Sequence, residues 1–433
     1  MKSVVQRVLT EAGSQVNFPF EVRFVDGSRY QNREGMPAFS LVFKDSSAQW
    51  AIAAYGHIGM LESYFDGKID LEGDLAMAFR AAFTGGLANT KPLVSLRNRW
   101  HEFRYSNKTV AQAKANARFH YALGTDFYKL WLDDPLMMYT CGYWKDGTKN
   151  VHEAQRNKVE HVCQKVRLQP GETVIDVGSG FGGFMFHAAE HHGVKVTGIN
   201  TTTEQVQWLS GEIARRGLGS QLKSVEADFR DNVGVYDKVV SIGTLEHAGR
   251  DQLRSVVKAH ADMLKPGGLG MLHFIGHVGM RSTEYFIREH VFPGGWIPSL
   301  AETIVAMEDA GLEVVDIENL RRHYALTLDA WTERFDMNWE RIHAIDPKKF
   351  DERFRRVWRS YLLGCAEMFR SPNERTHLFQ IVFSKGNITR ENYPMSRRFL
   401  YDKDPRPAAS PPIAPATPSA PAAAPKREPA LVE

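Results

Sequence analysis

The chain has 433 residues, of which 54 are Lys or Arg and 51 are Asp or Glu, and its formal net charge is +3. This charge is too small to indicate a nucleic-acid partner, and the length predicts two domains. Three cysteines do not make a disulfide framework, their spacing predicts no metal site, and no apolar run of about twenty residues predicts a membrane-spanning helix. The amino terminus lacks the apolar core of a signal peptide, so we expect a cytoplasmic protein.

The first predicted unit covers residues 1–95 and mixes strands with helices. Phe20–Val25 alternates like a strand, and Phe39–Phe43 is a second strand-like run. Residues 47–54 and 59–65 are predicted to form helices. We therefore expect a small α+β domain at the start of the chain.

Three further segments follow. Residues 96–119 are polar and basic, with Glu102 as their one acidic residue, and we interpret them as a linker that runs into a helix. Residues 120–400 carry the motifs described below and form the main domain. Residues 401–433 are rich in Pro and Ala and cannot bury enough apolar surface to offset the entropy of ordering, so we predict a disordered tail.

The most informative motif lies at residues 173–183, where an apolar strand runs into closely spaced glycines. Thr173–Val177 predicts a strand and Phe184–Glu190 predicts a helix, so the layout is typical of a nucleotide-binding α/β unit. Glycine permits the sharp turn and the close approach of a ligand. The order from Asp176 to Gly182 is Asp-x-Gly-x-Gly-x-Gly, which favours S-adenosylmethionine over NAD because no pyrophosphate has to be held.

The segments after this motif predict the fold of the main domain. Four further strands alternate with helical stretches: Val194–Asn200, Ser224–Asp228, Tyr236–Gly243 and, after a turn at 264–268, Leu269–Phe274. This alternation predicts a doubly wound, Rossmann-like parallel sheet, the class I methyltransferase fold, preceded by the small α+β domain. Ligands of such sheets bind at the carboxyl ends of the strands. There we expect Asn200 to reach the ribose of the cofactor and Asp228 to accept a hydrogen bond from its adenine.

Short motifs in one fixed order carry a resemblance to a known family. They are His120–Gly124, Met138–Trp144, Gly178–Gly183, Thr203–Gln205, Leu245–His247, His273–Gly276, Glu318–Arg322 and His323–Tyr324. Over residues 15–385 the chain resembles the cyclopropane-fatty-acyl-phospholipid synthases. It departs from them at Ser179 and Phe181, where the family usually has Cys and Trp, and at Asn200, where the family usually has a hydroxyl residue.

The resemblance implies a cofactor and a lipid substrate. S-adenosylmethionine is expected to give its methyl carbon to the double bond of an unsaturated acyl chain of a membrane phospholipid, which becomes a cyclopropane ring. The positions that match the family's cofactor contacts are Tyr139, Thr140, Gly178, Gly180, Gly182, Asn200, Gln205, Ala227 and Asp228. Of these, Tyr139 and Thr140 are expected to cover the cofactor like a lid.

The resemblance also implies a bound bicarbonate ion, which removes the proton from the carbocation formed on the acyl chain. The matching positions are Cys141, Glu246, His273, Ile275 and Tyr324. His273 and Tyr324 can donate hydrogen bonds to an anion, and Glu246 can take the proton onward if its pKa is tuned. Cys365 aligns with a cysteine that has been considered as the family's nucleophile. The chemistry requires no covalent intermediate, so we interpret Cys365 as part of helix packing.

Other functions stay open from the sequence. A hydride shift before proton loss would give a methylene- or methyl-branched chain instead of a ring. The extra N-terminal domain disfavours a methyltransferase of small molecules, and the intact Glu246, His273 and Tyr324 disfavour a non-catalytic lipid-binding protein. We expect a peripheral protein on the inner face of the membrane. Its N-terminal domain either engages lipid or serves only packing or dimerisation, and a homodimer is compatible with the sequence.

Overall fold

The computed structural model describes residues 2–86, 92–231 and 233–401, without the side chains of residues 120 and 121. Residues 1–393 form one compact unit and residues 394–433 form a second, whose described part contains a single 3-10 turn at Arg397–Leu400. The tail predicted to be disordered lies outside the described residues except for Tyr401. No helix in the described ranges is long and apolar enough to cross a membrane.

The secondary structure alternates between strands and helices along most of the chain. The α-helices are α1 (Lys2–Gln15), α2 (Ser47–Tyr55), α3 (His57–Phe65), α4 (Leu75–Thr84), α5 (Pro92–Tyr105), α6 (Val110–Tyr121), α7 (Thr125–Trp131), α8 (Val151–Lys165), α9 (Gly183–His192), α10 (Thr203–Arg215), α11 (Leu253–Met263), α12 (Tyr285–His290), α13 (Leu300–Asp309), α14 (Arg321–Met337), α15 (Trp339–Ile345) and α16 (Glu352–Arg370). The strands are β1 (Glu21–Arg23), β2 (Arg29–Gln31), β3 (Phe39–Phe43), β4 (Ile69–Gly73), β5 (Thr173–Val177), β6 (Lys195–Asn200), β7 (Leu222–Glu226), β8 (Tyr236–Ile242), β9 (Leu264–His277), β10 (Leu312–Asn319) and β11 (Thr376–Lys385).

The N-terminal domain is built on a four-stranded sheet in the order β2-β1-β3-β4. β1 runs parallel to β3, and the other pairs are antiparallel. The apolar residues of β3 pack with side chains from α1 and α4, and the rings of Phe20 and Phe39 stack with their centroids 5.2 Å apart. The α+β character predicted for this region is confirmed, whereas α1, β2, β4 and α4 were not predicted.

The main domain contains a seven-stranded sheet in the order β10-β11-β9-β8-β5-β6-β7. β7, β6, β5, β8 and β9 are parallel neighbours, and β11 runs antiparallel to β9 and β10. The chain leaves β5 for β6 on one side and returns with β8 on the other, so the strand order reverses between β5 and β8. Such a reversal opens a crevice at the carboxyl ends of the strands. The predicted class I methyltransferase fold is confirmed.

The local patterns explain why the central strands form. Val174, Ile175 and Val177 of β5 are all buried, as expected for a parallel strand covered by helices on both faces. The turn predicted at residues 264–268 is a bulge inside β9, because β9 advances from Leu264 to Leu269 while its partner β8 advances only from Tyr236 to Lys238.

The segment predicted as a linker, residues 96–119, is largely helical. It contains most of α5 and α6, which are separated by residues 106–109. The helix α5 was not predicted because the segment is polar and few of its residues are buried. The buried residues are Val94, Asn98 and His101, which lie three or four positions apart. The two domains are therefore connected by helices and not by an extended linker. The domain boundaries stay a prediction.

The N-terminal domain packs directly on the main domain through α4 and α16. The Arg80 guanidinium donates two hydrogen bonds to the Glu367 carboxylate, from Nε at 2.8 Å and from Nη2 at 3.0 Å. Beside this ion pair, Gly364 lies against the ring of Phe79, where a Cβ would come within 3.1 Å of the ring. This contact brings apolar side chains of the N-terminal domain next to the crevice of the sheet.

Candidate active site

A cavity of about 770 Å³ opens at the carboxyl ends of β5, β6, β8 and β9. Every residue predicted for the site lines this cavity except Gly182. The cavity continues between the two domains, where its lining includes Leu9, Phe20, Phe39, Leu71, Phe79 and Phe83 of the N-terminal domain. A polar region beside the sheet thus leads into a long apolar region, and a ligand that occupies both needs a polar end and an aliphatic or aromatic body.

The glycine loop owes its shape to three residues with positive φ angles. φ is +77° at Gly178, +54° at Gly180 and +80° at Gly182, in the left-handed region that glycine enters most easily. A Cβ at Gly178 would come within 2.2 Å of Thr244 Oγ1, and one at Gly182 within 2.5 Å of Leu209 Cδ1. At Gly180 a Cβ would meet no atom within 4 Å. Gly178 and Gly182 therefore serve the packing of the turn, and Gly180 leaves open space beside the cavity.

Asn200 holds the glycine loop from the end of β6. Its Oδ1 accepts a hydrogen bond from the Gly180 amide at 3.0 Å, and its Nδ2 donates to Ser179 Oγ at 3.0 Å and to the Gly180 carbonyl at 3.2 Å. Both ends of the amide are thus engaged with the loop, which a carboxylate could not do because it has no donor. The contact of Asn200 with the ribose stays a prediction.

Gln205 offers the clearest unsatisfied donor in the cofactor part of the cavity. Its Oε1 accepts a hydrogen bond from Thr202 Oγ1 at 2.7 Å, whereas its buried Nε2 has no partner among the described residues. A buried amide without a partner is costly, so it marks a position where a ligand would be bound favourably. The carboxylate of Asp228 accepts from Arg230 Nε at 2.5 Å and from Nη2 at 2.9 Å, and Ala227 lies beside it on the cavity wall.

Tyr139 and Thr140 approach the glycine loop from the segment that follows α7. The Tyr139 hydroxyl donates to the Tyr361 hydroxyl at 2.8 Å, and its ring contacts Trp131 and Trp331. Thr140 Oγ1 accepts from the ammonium of Lys158 at 2.8 Å. Both predicted lid residues are therefore fixed by side chains of the main domain.

The carboxyl of Glu246 belongs to a short 3-10 turn after β8 and lines the cavity. Its Oε1 accepts from the Ile275 amide at 2.6 Å, and its Oε2 is buried without a partner among the described residues. Burial raises the pKa of Glu246 to about 7, against the opposing effect of the Ile275 hydrogen bond. The amide of Ile275, which was predicted to contact an anion, thus positions the glutamate.

The protonation of His273 is fixed by a chain of hydrogen bonds from outside the cavity. Lys165 Nζ can only donate, and it donates to Gln380 Oε1 at 2.8 Å. Gln380 must therefore present its Nε2 to His273 Nδ1, at 3.1 Å. Burial and the charges of Lys158 and Lys165 hold the pKa of His273 well below its usual value. The ring is neutral with its proton on Nε2, and this buried Nε2 has no partner among the described residues.

Tyr324 lies at the start of α14, and Cys141, Glu246 and Cys365 are among the groups that act electrostatically on it. The structure therefore brings the predicted anion-site side chains together. Burial, followed by the field of Tyr361 and these neighbours, holds the pKa of Tyr324 well above its usual value, so the phenol keeps its proton as a donor. Burial also raises the pKa of the Cys141 thiol.

Cys365 faces the cavity from α16, where it packs against the aromatic cluster around Trp331 and Trp358. Burial raises the pKa of its thiol to about 12. A nucleophilic cysteine needs the thiolate, which this environment disfavours. This agrees with the interpretation of Cys365 as a packing residue.

Sequence reasoning missed the basic residues beneath the site. Lys158 and Lys165 are fully buried on α8, and Lys165 donates to Glu318 Oε2 at 2.5 Å. A sequence signal exists: Gln155, Lys158, His161 and Lys165 repeat every three or four positions on the face of α8 that should be apolar. Polar residues with that spacing on a buried face point to an internal network rather than to solvent.

Comparisons with known proteins agree with this geometry. The sequence profile described as "Mycolic acid cyclopropane synthetase" matches residues 108–381, more than half of the chain. The chain belongs to this family. It is an enzyme, a methyltransferase dependent on S-adenosylmethionine, with the class I fold.

Two curated members of the family align with most of the chain. A probable fatty acid methyltransferase of Pseudomonas putida is 32% identical over 374 residues, which are 83% of this chain and 91% of the relative. The cyclopropane-fatty-acyl-phospholipid synthase of Escherichia coli K12 is 33% identical over 342 residues, which are 76% of this chain and 84% of the relative.

A solved structure of the family adds a bound ligand. The mycolic acid cyclopropane synthase CmaA1 complexed with SAH and CTAB is 30% identical and superposes with a TM-score of 0.58, over 63% of this chain and 98% of that one. In our structure, the open space at Gly180 and the unsatisfied Gln205 Nε2 fit S-adenosylmethionine. The unsatisfied Nε2 of His273 and the Tyr324 phenol offer two donors to an anion.

Proposed function

We propose that the protein transfers the methyl carbon of S-adenosylmethionine to the double bond of an unsaturated fatty acyl chain of a membrane phospholipid and closes a cyclopropane ring. The observation that carries this proposal is the continuity of the cavity. It joins the glycine loop and Glu246 to an apolar region lined by Phe20, Phe39 and Phe79. A small soluble substrate would leave that region empty, whereas a fatty acyl chain fills it.

The chemistry imposes three demands on the cavity. An alkene is a weak nucleophile, and its attack on the sulfonium methyl leaves a carbocation on the acyl chain. Water must then be excluded, positive charge must be stabilised, and one proton must be removed. Aromatic faces stabilise a cation without reacting with it, and Tyr139, Phe181, Phe292 and Trp296 line the cavity.

Removal of the proton is the step in which the residues around Glu246 would take part. His273 Nε2 and the Tyr324 hydroxyl are donors and would hold a bicarbonate ion, together with Cys141 at the same wall of the cavity. Bicarbonate, when bound, would supply a base for the proton lost on ring closure. Glu246 has a pKa raised to about 7, so near neutral pH its carboxyl can accept a proton and release it again.

The lysines under the site support an anion there. Lys158 and Lys165 are both close enough to lower the pKa of His273 by their charge. Burial lowers the pKa of Lys158 to about 7, so this side chain is partly charged near neutral pH, and the positive charge that it carries makes the neighbouring space favourable for an anion. Glu318 offsets the charge of Lys165, because His161 and Lys165 together outweigh the effect of its burial and hold its pKa at about 2.

The test is a reconstituted reaction with purified full-length protein, S-adenosylmethionine and vesicles of an unsaturated phospholipid. Mass spectrometry should show acyl chains that gain one CH2 unit, and Glu246→Gln serves as the matched inactive variant. NMR of the product separates a ring from a methylene- or methyl-branched chain. Lipid that gains no CH2 unit under conditions where the protein binds the cofactor would refute the proposal.

The anion is tested in a separate arm. Carbonate-free buffer should slow the parent enzyme, and added bicarbonate should restore its rate. Tyr324→Phe removes one donor, so it should raise the bicarbonate concentration needed for half of the full rate. A parent enzyme and a His273→Ala variant that are both active and both indifferent to bicarbonate would exclude this site and leave Glu246 as the base.

A further inference from the structure

The α5 helix carries an apolar stripe on its outer side. Leu93, Leu96, Trp100 and Phe103 are 48%, 64%, 61% and 78% exposed. At about 100° per residue, the four side chains fall within about 80° of the helix circumference. The rings of Trp100 and Phe103 are stacked, with their centroids 6.1 Å apart. Single exposed apolar residues are common on proteins, but a continuous stripe marks a surface that binds something.

The opposite face of α5 is anchored to the wall of the cavity. Asn98 Nδ2 donates to the Thr283 carbonyl at 3.0 Å, and Arg288 Nη1 donates to Asn98 Oδ1 at 2.9 Å. Val94 and His101 are buried on the same face. The helix is therefore held in place, and the apolar stripe points away from the protein because the inner face is already occupied.

Basic residues border the stripe on both sides. On the helical wheel Arg99 lies next to Phe103, and Arg104 lies next to Leu93 at the other border. Both residues are exposed, and the Arg104 guanidinium lies 5.7 Å from the centroid of the neighbouring Tyr105 ring. Leu, Trp and Phe flanked by Arg are typical of helices that lie in the interface of a lipid bilayer, where anionic headgroups attract the basic residues.

We propose that α5 docks the protein on an anionic phospholipid bilayer, with the stripe in the interface and Arg99 and Arg104 against headgroup phosphates. The inference rests on the proposed function, in which the substrate is a lipid of such a bilayer. Thr283, to which α5 is anchored, and the adjacent Glu284 both line the cavity. Docking through α5 therefore places this wall of the cavity roughly one helix diameter from the membrane surface, which shortens the path of an acyl chain into the cavity.

A second copy of the chain fits the stripe less well. In a two-fold dimer the same patch meets itself, so the arginines that border one stripe would approach those that border the other. Like charges brought together at an interface oppose association. An anionic bilayer instead neutralises both borders while it buries the apolar side chains.

The experiment measures binding of the full-length protein to vesicles by co-sedimentation. The vesicles contain only saturated phospholipid, either phosphatidylcholine alone or with phosphatidylglycerol, so no reaction can take place. The parent should bind the anionic vesicles more tightly than the neutral ones. The triple substitution Leu96→Gln, Trp100→Gln and Phe103→Gln should weaken binding at least tenfold, and Arg99→Gln with Arg104→Gln should weaken it roughly tenfold or more on anionic vesicles alone.

The matched control is Leu326→Gln with Met337→Gln on α14, two exposed apolar residues on another helix, and it should bind as the parent does. Calorimetric binding of S-adenosylmethionine verifies that each variant is folded. A triple variant that binds vesicles like the parent would overturn the proposal. So would a triple variant that only loses self-association, because the occupant would then be a second copy.

Activity in detergent separates this inference from the proposed function. The triple variant should still modify an unsaturated phospholipid dispersed in micelles, because its cavity is unchanged, while it loses activity on anionic vesicles. A parent that binds vesicles through the stripe but modifies no acyl chain in either form would contradict the proposed function and leave the docking surface standing. Equal activity of the parent and the triple variant on vesicles would contradict the docking surface alone.

Discussion

Gln380 Nε2 lies 3.1 Å from His273 Nδ1, and this contact determines which ring nitrogen of the histidine carries the proton and can donate. The two residues are paired across β11 and β9, so the backbone register holds them opposite each other. Because Lys165 occupies the oxygen of the glutamine, only the NH2 group can face the ring. A residue outside the cavity thus sets the hydrogen-bonding character of a residue inside it, and Gln380 is a positioning residue.

Gln380→Glu should reverse the tautomer of His273. The new carboxylate still accepts from Lys165, but toward the ring it can only accept, so it favours a proton on Nδ1 and leaves Nε2 as an acceptor. Loss of one donor to a charged acceptor costs about 1–3 kcal/mol, which predicts roughly a 5- to 150-fold loss in turnover. Nitrogen NMR of the histidines should report the change of tautomer. Gln380→Met, which neither donates nor accepts strongly, should lie between the two, and a Gln380→Glu variant with the parental tautomer would contradict the network.

Glu246 predicts a pH dependence with a defined sign. Burial raises its pKa to about 7, so the carboxyl becomes able to accept a proton only as the pH rises through about 7. Turnover should therefore fall on the acid side with a midpoint near that value. His273 adds no second transition there, because its pKa is held well below its usual value.

Glu246→Gln should remove this acid limb and reduce turnover on the order of 100- to 10,000-fold, while calorimetry shows nearly intact cofactor binding. Stability should change in the opposite direction to activity. The folded parent keeps the Glu246 proton up to about pH 7, whereas the unfolded chain releases it near the model-peptide value, so the free energy of unfolding falls as pH rises through this window. An acid limb that persists in Glu246→Gln would assign it to another group.

Asn200→Asp tests whether the residue serves the loop or the ribose. The carboxylate can still accept from the Gly180 amide, but it can donate neither to Ser179 nor to the Gly180 carbonyl, and it faces that carbonyl oxygen at short range. We expect cofactor affinity to fall about 5- to 100-fold, by analogy with a buried group that loses its partner. Tighter binding in calorimetry would mean that a carboxylate reaches the ribose and that the loop contacts are secondary.

Cys365→Ala should retain turnover within a few-fold of the parent. The thiol has a pKa raised to about 12, so it is protonated at neutral pH and no nucleophile is lost. The measurable effect should be on stability, because deletion of a partly buried side chain leaves a small void in the aromatic cluster. Turnover that disappears while the melting temperature is unchanged would restore a chemical role for Cys365.

The sequence predicted those features that depend on short stretches of chain. The strand, glycine turn and helix at residues 173–192 form a local unit, and the rhythm of strands specified the parallel sheet. Contacts between distant residues could not be predicted in this way. Gln380 contacts His273 only because β11 pairs with β9. Asn200 contacts the glycine loop because that loop follows β5, which is the neighbour of β6 in the sheet. The helix α5 was missed because only three of its residues face inward.

Gly180→Val is expected to abolish most cofactor binding, and Gly217→Val provides its control. Both glycines have positive φ, +54° and +69°, and in both a Cβ would meet no atom within 4 Å. Gly180 lines the cavity, whereas Gly217 follows the C-cap of α10 and is not among the lining residues. Both substitutions should therefore cost a similar roughly 1–2 kcal/mol in stability from the left-handed backbone. Only Gly180→Val places a branched side chain where the cofactor must approach the loop, so calorimetry should show an affinity reduced at least tenfold for this variant alone. Equal affinities for the two variants would remove Gly180 from the cofactor site.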